Sequence, residues 1–392
     1  MNKGAAPALP AVGKSTYYVD ASGNPHVIDA SGVDNVLTAD QIRNVLRNSG
    51  FWFAQRQNPA ALTTYSSATN RLISADGWGI TCENASAQYI RTDTSTTPEA
   101  NLQNRYYGQL TKITTLGKVE FTQVIEGSNS QALRGRTVRV QCKLRGIVAA
   151  TANWNIALIQ NTGTVDAPTA AFIAAQGANG VDPTLGASLA YIAPKATVTP
   201  DNATIVGNKA QCVVTNSATW ARYGACFDVP TTAKNLIVMI WSDSQVVATN
   251  GVAIAEVSLT DGFEVQAWYP YPVELELERV QRYYHKTFNV DTLPATIVAI
   301  GAARGYVSVA GAVAGQPLGI RYPVPMRAAP VFTFFNPAAA NAFTRNTVAV
   351  TDATATAGAN IGDQGADITF TGIAAWTVAQ AVSVQYTADA EI

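Results

Sequence analysis

Charge is scarce in this chain. Only 14% of its 392 residues are charged, against about a quarter in ordinary globular domains, and 26 basic residues nearly cancel 27 acidic ones. No basic run or basic domain stands out, which removes the electrostatic footprint of nucleic-acid binding. Histidine is scarcer still: His26 and His285 are the two copies. No GxSxG elbow accompanies them, so a Ser-His-Asp triad has no starting point. Two histidines and the scattered Cys82, Cys142, Cys212 and Cys226, none in a CxxC pair, do not make the usual zinc site. The cysteines read as free thiols filling core space. No Walker loop or dinucleotide fingerprint occurs, and no cofactor is implied. No apolar run approaches the length of a membrane span. The opening residues lack the apolar centre of a signal peptide, so assembly in the cytoplasm is expected.

What the chain does have is period-two alternation. Thr137-Val-Arg-Val-Gln-Cys-Lys-Leu144 places Val138, Val140, Cys142 and Leu144 on one face and Arg139, Gln141 and Lys143 on the other. Trp154, Ile156 and Leu158 repeat the pattern, as do Val119, Phe121 and Ile125, with Gln123 the exception. Leu236 to Trp241 is continuously apolar, as in a strand covered on both faces. Strands in this number need two packed sheets, so residues 49–272 are expected to form a β-sandwich of jelly-roll type. Residues 161–210, rich in Ala, Gly and Pro, read as an excursion toward a subunit contact or a ligand.

The flanks differ. Residues 1–48 lack strong patterning and read as a docking arm with one short helix. Thr38 with Gln41 makes a capping-box pattern, and Ile42, Val45 and Leu46 form its apolar stripe. With Tyr17, Tyr18, Val19, Val27 and Ile28, these are the candidate attachment residues. After the stiff Trp268-Tyr-Pro-Tyr-Pro272, Leu277, Val280 and Tyr284 fall at helical spacing, and a short connecting helix is expected beyond residue 276. Short strands return over the remainder, so 273–392 reads as a second, smaller β-sandwich.

Two segments carry a family resemblance. Gln281-Arg-Tyr-Tyr284 with Tyr322-Pro-Val-Pro-Met-Arg327 resembles the junction and C-terminal module of tailed-bacteriophage structural proteins. Phe51-Trp-Phe-Ala-Gln-Arg56, Asp76-Gly-Trp78, Leu133-Arg-Gly-Arg-Thr-Val138 and Asp261-Gly-Phe-Glu-Val-Gln266 resemble carbohydrate-binding-like jelly rolls of phage fibres. The resemblance implies a virion component (fibre, spike or decoration), trimeric, non-enzymatic, and bound to capsid or tail proteins. Val280, Arg282, Tyr283 and Tyr284 would then serve the connector and subunit contact. Host-surface glycan binding is the alternative, with Trp78, Trp154 and Trp220 as stacking platforms; Trp154 also keeps phase with Ile156 and Leu158, which fits a core position. Paired carboxylates are the remaining catalytic reading. Glu274, Glu276 and Glu278 sit on the connector, where Arg279 and Arg282 offer partners. Asp352, Asp363 and Asp367 lack the spacing of a calcium loop.

Overall fold

The computed structural model describes residues 44–57, 63–83, 87–95, 99, 101–112, 117–147, 152–215, 219–246 and 250–392, with the backbone of three short strands, Ser15–Val19, Pro25–Asp29 and Asp34–Val36, before them. The fold is mainly β. Two antiparallel sheets form the jelly roll. The six-stranded sheet runs Ala221–Asp228, Thr137–Ile147, Gly251–Asp261, Tyr106–Lys112, Ala87–Asp93, Thr63–Tyr65. The facing sheet is built around Ala152–Asn161, Asn235–Ser242 and Val119–Ile125.

Register follows from the apolar alternation. One row across the larger sheet reads Ala210, Ile156, Ile240, Phe121, Ile80, Leu72. A one-residue slip would turn the whole row out of the core. Gln123 breaks the alternation for a local reason. Its Oε1 accepts from the Arg47 amide at 2.9 Å and its Nε2 donates to the Arg47 carbonyl at 2.8 Å.

The helix expected to end at Arg47 is not present over its described part; residues 38–43 lie outside the described residues. Asn44–Arg47 runs in irregular backbone against Gly251–Asp261, the last strand of the six-stranded sheet in chain order. The Val45 amide donates to the Leu259 carbonyl, and the Asn44 side chain bonds both Val257 and Leu259. These bonds replace the helical ones, and Leu46 drops into the sandwich core. The excursion at 161–210 is seen here in a single chain. It folds back on its own domain, where Phe172, Ile173 and Leu189 cover Ala157, Ile237, Met239 and Trp241 on the outer side of the larger sheet. The continuous apolar run at 236–241 is therefore covered on both faces.

The connecting helix spans Val273–Gln281 and begins four residues earlier than the spacing suggested. Pro272 sets its entry, and Glu274 and Glu276 favour its first turn electrostatically. The C-terminal unit is organised on Ala381–Asp389. Tyr284–Lys286 and Ala303–Tyr306 pair along one edge of that strand; Val331–Phe335 and Arg345–Asn346 pair along the other. A three-stranded sheet of Gln316–Arg321, Gly365–Thr371 and Ala355–Ala359 accompanies it, and Ile368, Phe370, Trp376, Val384 and Tyr386 fill the core.

Candidate functional site

The outer face of the six-stranded sheet departs furthest from what alternation dictates. Arg139 and Gln141 point away from the core, yet they are only 1% and 2% exposed. The cover is the chain's own strap, residues 263–271. It leaves the last strand at Gly262, whose φ of +93° suits glycine, and crosses the face it has just left. Arg139 Nη1 donates to the Phe263 carbonyl at 3.0 Å, and Gln141 Nε2 to the Gln266 carbonyl at 2.6 Å. Cys226 Sγ lies 3.4 Å from the same Phe263 carbonyl. Trp268 closes the far end, buried beside Gly50, while Phe263, Val265 and Tyr269 face solvent.

A bulge shapes this face. Pairing slips between Gln141 and Lys143, leaving an extra residue on the last strand, where Glu256 takes a φ of +50°. The Glu256 carboxylate pairs with Lys143 at 2.7 Å and accepts from the Asn104 amide at 3.1 Å. A crease of about 120 Å³ opens there, lined by Gln103, Gln141, Lys143, Arg222, Glu256, Gln266 and Trp268. It holds the volume of roughly four waters. Under and beside the strap, six buried polar atoms have no protein partner: Arg139 Nε and Nη2, Gln141 Oε1, Ser258 Oγ, Thr260 Oγ1 and Trp268 Nε1. Buried polar groups left this way are costly and mark places where a ligand or a moving segment completes the bonding.

The three tryptophans chosen as stacking platforms are all interior, and none offers a ring to a sugar. Trp78 is fully buried and stacks on Phe121 with centroids 4.8 Å apart. Its Asp-Gly approach turns the ring inward, where Nε1 donates to the Asn48 carbonyl. Trp154 is in the core, as its phase with Ile156 required. Trp220 is buried against Tyr107 under Arg145, with Nε1 donating to Glu99 at 2.6 Å. Trp268, absent from that choice, is the tryptophan that reaches the crease. Its place between Gln266 and Tyr-Pro-Tyr-Pro made it look like linker.

The connector residues do come together, at a joint between the two sandwiches. Arg47 stacks on the Tyr283 ring at 3.8 Å and pairs with Glu391. Arg56 stacks on Tyr284 at 3.9 Å and pairs with Asp76 and Asp389. Arg282 Nη2 and Tyr283 Oη both donate to Glu126 at 2.7 Å. Burial pushes the Glu126 carboxyl up, but these two hydrogen bonds outweigh it and hold it below the usual range. Lys286 reaches the Gln55 and Thr292 carbonyls, and burial lowers its ammonium to about 8. Val280 is buried in the helix; Val45 and Leu46, expected to serve attachment, are instead taken up by the chain's own fold, Val45 lining this joint and Leu46 filling the sandwich core. The cleft of about 260 Å³ beside it is lined by Arg47, Glu126, Arg279 and Arg282. Those guanidinium groups are already paired to Glu126, Glu276 and Glu391, so the cleft reads as structural. Tyr17, Tyr18, Val19, Val27, Ile28 and Ile42 have no described side chains.

Catalytic candidates are dispersed. His285 lies between Tyr322 and Tyr386, and burial lowers it to about 4. Glu276 is buried, accepts from the Asn48 amide and pairs with Arg279, while Glu274 and Glu278 are exposed. Asp352 is taken by Arg345 and Asn341, and Asp367 by Asn360. Among the described residues no three His, Cys, Asp or Glu side chains gather as a metal site, and no helix is long and apolar enough to cross a membrane.

No protein-family model matches the chain, and no curated protein does. Similar solved structures include the carbohydrate-binding module TmCBM61 in complex with β-1,4-galactotriose, at 10% identity over 56% of this chain and 99% of that one (TM-score 0.31). A putative sugar binding protein from Bacteroides thetaiotaomicron aligns at 12% identity over 56% of this chain and all of its own length (TM-score 0.28). The enzymatically active domain of bacteriophage CBA120 tailspike protein 4 aligns at 14% identity over 56% of this chain and 21% of that one (TM-score 0.28). At these identities and TM-scores the likenesses are similarities only, and the fold described above rests on this chain's own strands.

Proposed function

We propose that this chain is a non-enzymatic structural component of a bacteriophage particle, of fibre, spike or decoration type. The segment before Asn44 attaches it, and the two sandwiches face outward as one body. The joint is the observation that carries this reading. Two arginine–tyrosine stacks, a Glu126 anchor, the buried Arg47–Glu391 ion pair and the half-exposed Arg56–Asp389 pair tie the jelly roll to the C-terminal sandwich. A pair of domains with separate tasks is usually joined through a looser, more polar interface; a body that transmits force or holds an orientation needs this rigidity. The motifs at Gln281–Tyr284 and Tyr322–Arg327 support the phage assignment. The scarcity of charge supports burial against other subunits. So do the exposed Ile300, Tyr306, Val331, Val348, Val350 and Val378 of the C-terminal sandwich, in the manner of a homotrimer. Sedimentation equilibrium on the full chain is expected to give a trimer. A stable monomer whose arm stays unfolded alone and on the particle would sink the reading.

A second reading, host-glycan binding by the jelly roll, is favoured by the crease at Gln103, Lys143, Glu256 and Trp268 and its partnerless Gln141 Oε1 and Trp268 Nε1. Its test is an array of bacterial surface glycans probed with the full chain.

A further inference from the structure

The strap has weak hold on what it covers. Among the described residues, none from 263 to 271 makes a backbone–backbone hydrogen bond. Arg139 and Cys226 hold its first residue, Phe263, and Gln141 alone holds its middle, at Gln266. Its ends are firm: Gly262 N donates to the Thr137 carbonyl at 2.8 Å, and Tyr271 Oη to the Asn44 carbonyl at 3.2 Å, with Arg279 over the Tyr271 ring. Such a segment belongs to the low-stability end of local opening.

Beneath it lies a ledge with a definite chemistry. Arg139 sits opposite Thr260, and Gln141 opposite Ser258, on neighbouring strands. The two rungs are about 7 Å apart along the strand, the span of one sugar ring with its substituents. Arg139 has no carboxylate within ion-pairing distance among the described residues. Its Nη1 is used, but Nε and Nη2, which form one edge of the guanidinium, are free. That edge is the fork that takes a carboxylate through two parallel hydrogen bonds. Gln141 Oε1 accepts, and Ser258 and Thr260 offer hydroxyls that both donate and accept.

We propose that Arg139, Gln141, Ser258 and Thr260 form a binding site for a carboxylate-bearing sugar unit, uncovered when strap residues 263–267 lift about Gly262. The carboxylate docks on the Arg139 edge, and ring hydroxyls complete Gln141, Ser258 and Thr260. The inference rests on the second reading above, that this sheet face binds glycan, and adds the sugar class and the cover that controls access.

The chain carries its own probe of the cover. Cys226 lies under the strap, while Cys82, Cys142 and Cys212 belong to the sandwich core. Iodoacetamide on the native full chain is expected to alkylate Cys226 at least tenfold faster than the other three; equal rates for all four overturn the moving strap. Calorimetric titration then compares a galacturonate trisaccharide, its neutral galactose counterpart and acetate alone. The uronate trisaccharide is expected to bind at least tenfold more tightly than either. Arg139→Lys keeps the charge without the fork and is expected to lose that preference while its melting temperature is retained. Should that variant fail to fold, Thr260→Val, expected to weaken uronate binding several-fold, is the second variant. Acetate binding as tightly as the trisaccharide overturns a sugar site in favour of a bare anion site. Equal binding of neutral and acidic trisaccharides overturns the acidic assignment and leaves the crease reading standing. Binding of neither overturns the inference, and a blank glycan array besides overturns the reading it rests on.

Discussion

Replacing Glu120 with glutamine is expected to remove a pH dependence that the fold carries in one buried carboxyl. Glu120 is the second residue of strand Val119–Ile125, fully buried between the larger sheet and the residue 161–210 excursion. Gln176 Nε2 donates to it at 3.3 Å. The nearby Lys118 ammonium instead donates to the Gln176, Ala178 and Val181 carbonyls, holding the excursion down. With no ion partner, burial raises the Glu120 carboxyl from 4.5 to about 8. The folded state therefore keeps a proton that the unfolded chain loses above pH 4.5. Stability is full below that value and falls as pH rises toward 8. From pH 4.5 to pH 7 the loss is about 2.5 pH units at about 1.4 kcal/mol each, or roughly 3 kcal/mol. Glutamine has no proton to lose. Whatever its amide costs in the site is the same at both pH values, so the difference between variant and native protein isolates the carboxyl. The assay is urea unfolding of both proteins at pH 4.5 and pH 7. Glu120→Gln should gain about 3 kcal/mol relative to native protein between the two. Parallel pH profiles would show that Glu120 is ionised and paired when folded, and would refute the reasoning.

Three further outcomes follow from the same contacts. Arg56→Met leaves Asp76, 1% exposed, without its cation and removes the stack on Tyr284; a loss of about 3–5 kcal/mol is expected in thermal unfolding, with faster proteolysis between the sandwiches. Trp78→Ala should cost about 3–5 kcal/mol through the cavity left against Phe51 and Phe121 and leave glycan affinity unchanged once folded. Trp268→Ala should lower crease affinity several-fold in titration of the folded variant; full retention of affinity would remove Trp268 from the site.

The sandwich was legible because apolar alternation is a statement about one covered face, and the rows through Ile156 and Val140 satisfy it. The outer face was not legible, because alternation assigns Arg139 and Gln141 to water and carries no information about a strap from 120 residues downstream. The tryptophans misled for a related reason: Asp-Gly before Trp78 signals a turn, not the direction in which the ring leaves it. The helix through Arg47 had a sound capping pattern, but Asn44 found better bonds on the strand ending at Asp261. The joint was half legible. Arg282, Tyr283 and Tyr284 stood out as a motif, whereas their partners Glu126, Arg47 and Arg56 lie in segments whose local pattern gave no hint of each other.

The most direct test of a particle role is cryo-electron microscopy of the intact phage with this chain traced in the map. Density for the segment before Asn44 clamped to capsid or tail subunits, with the two sandwiches projecting as one rigid body, is the result expected. A particle without this chain, or one in which the sandwiches take independent orientations about Val273–Gln281, would contradict the account.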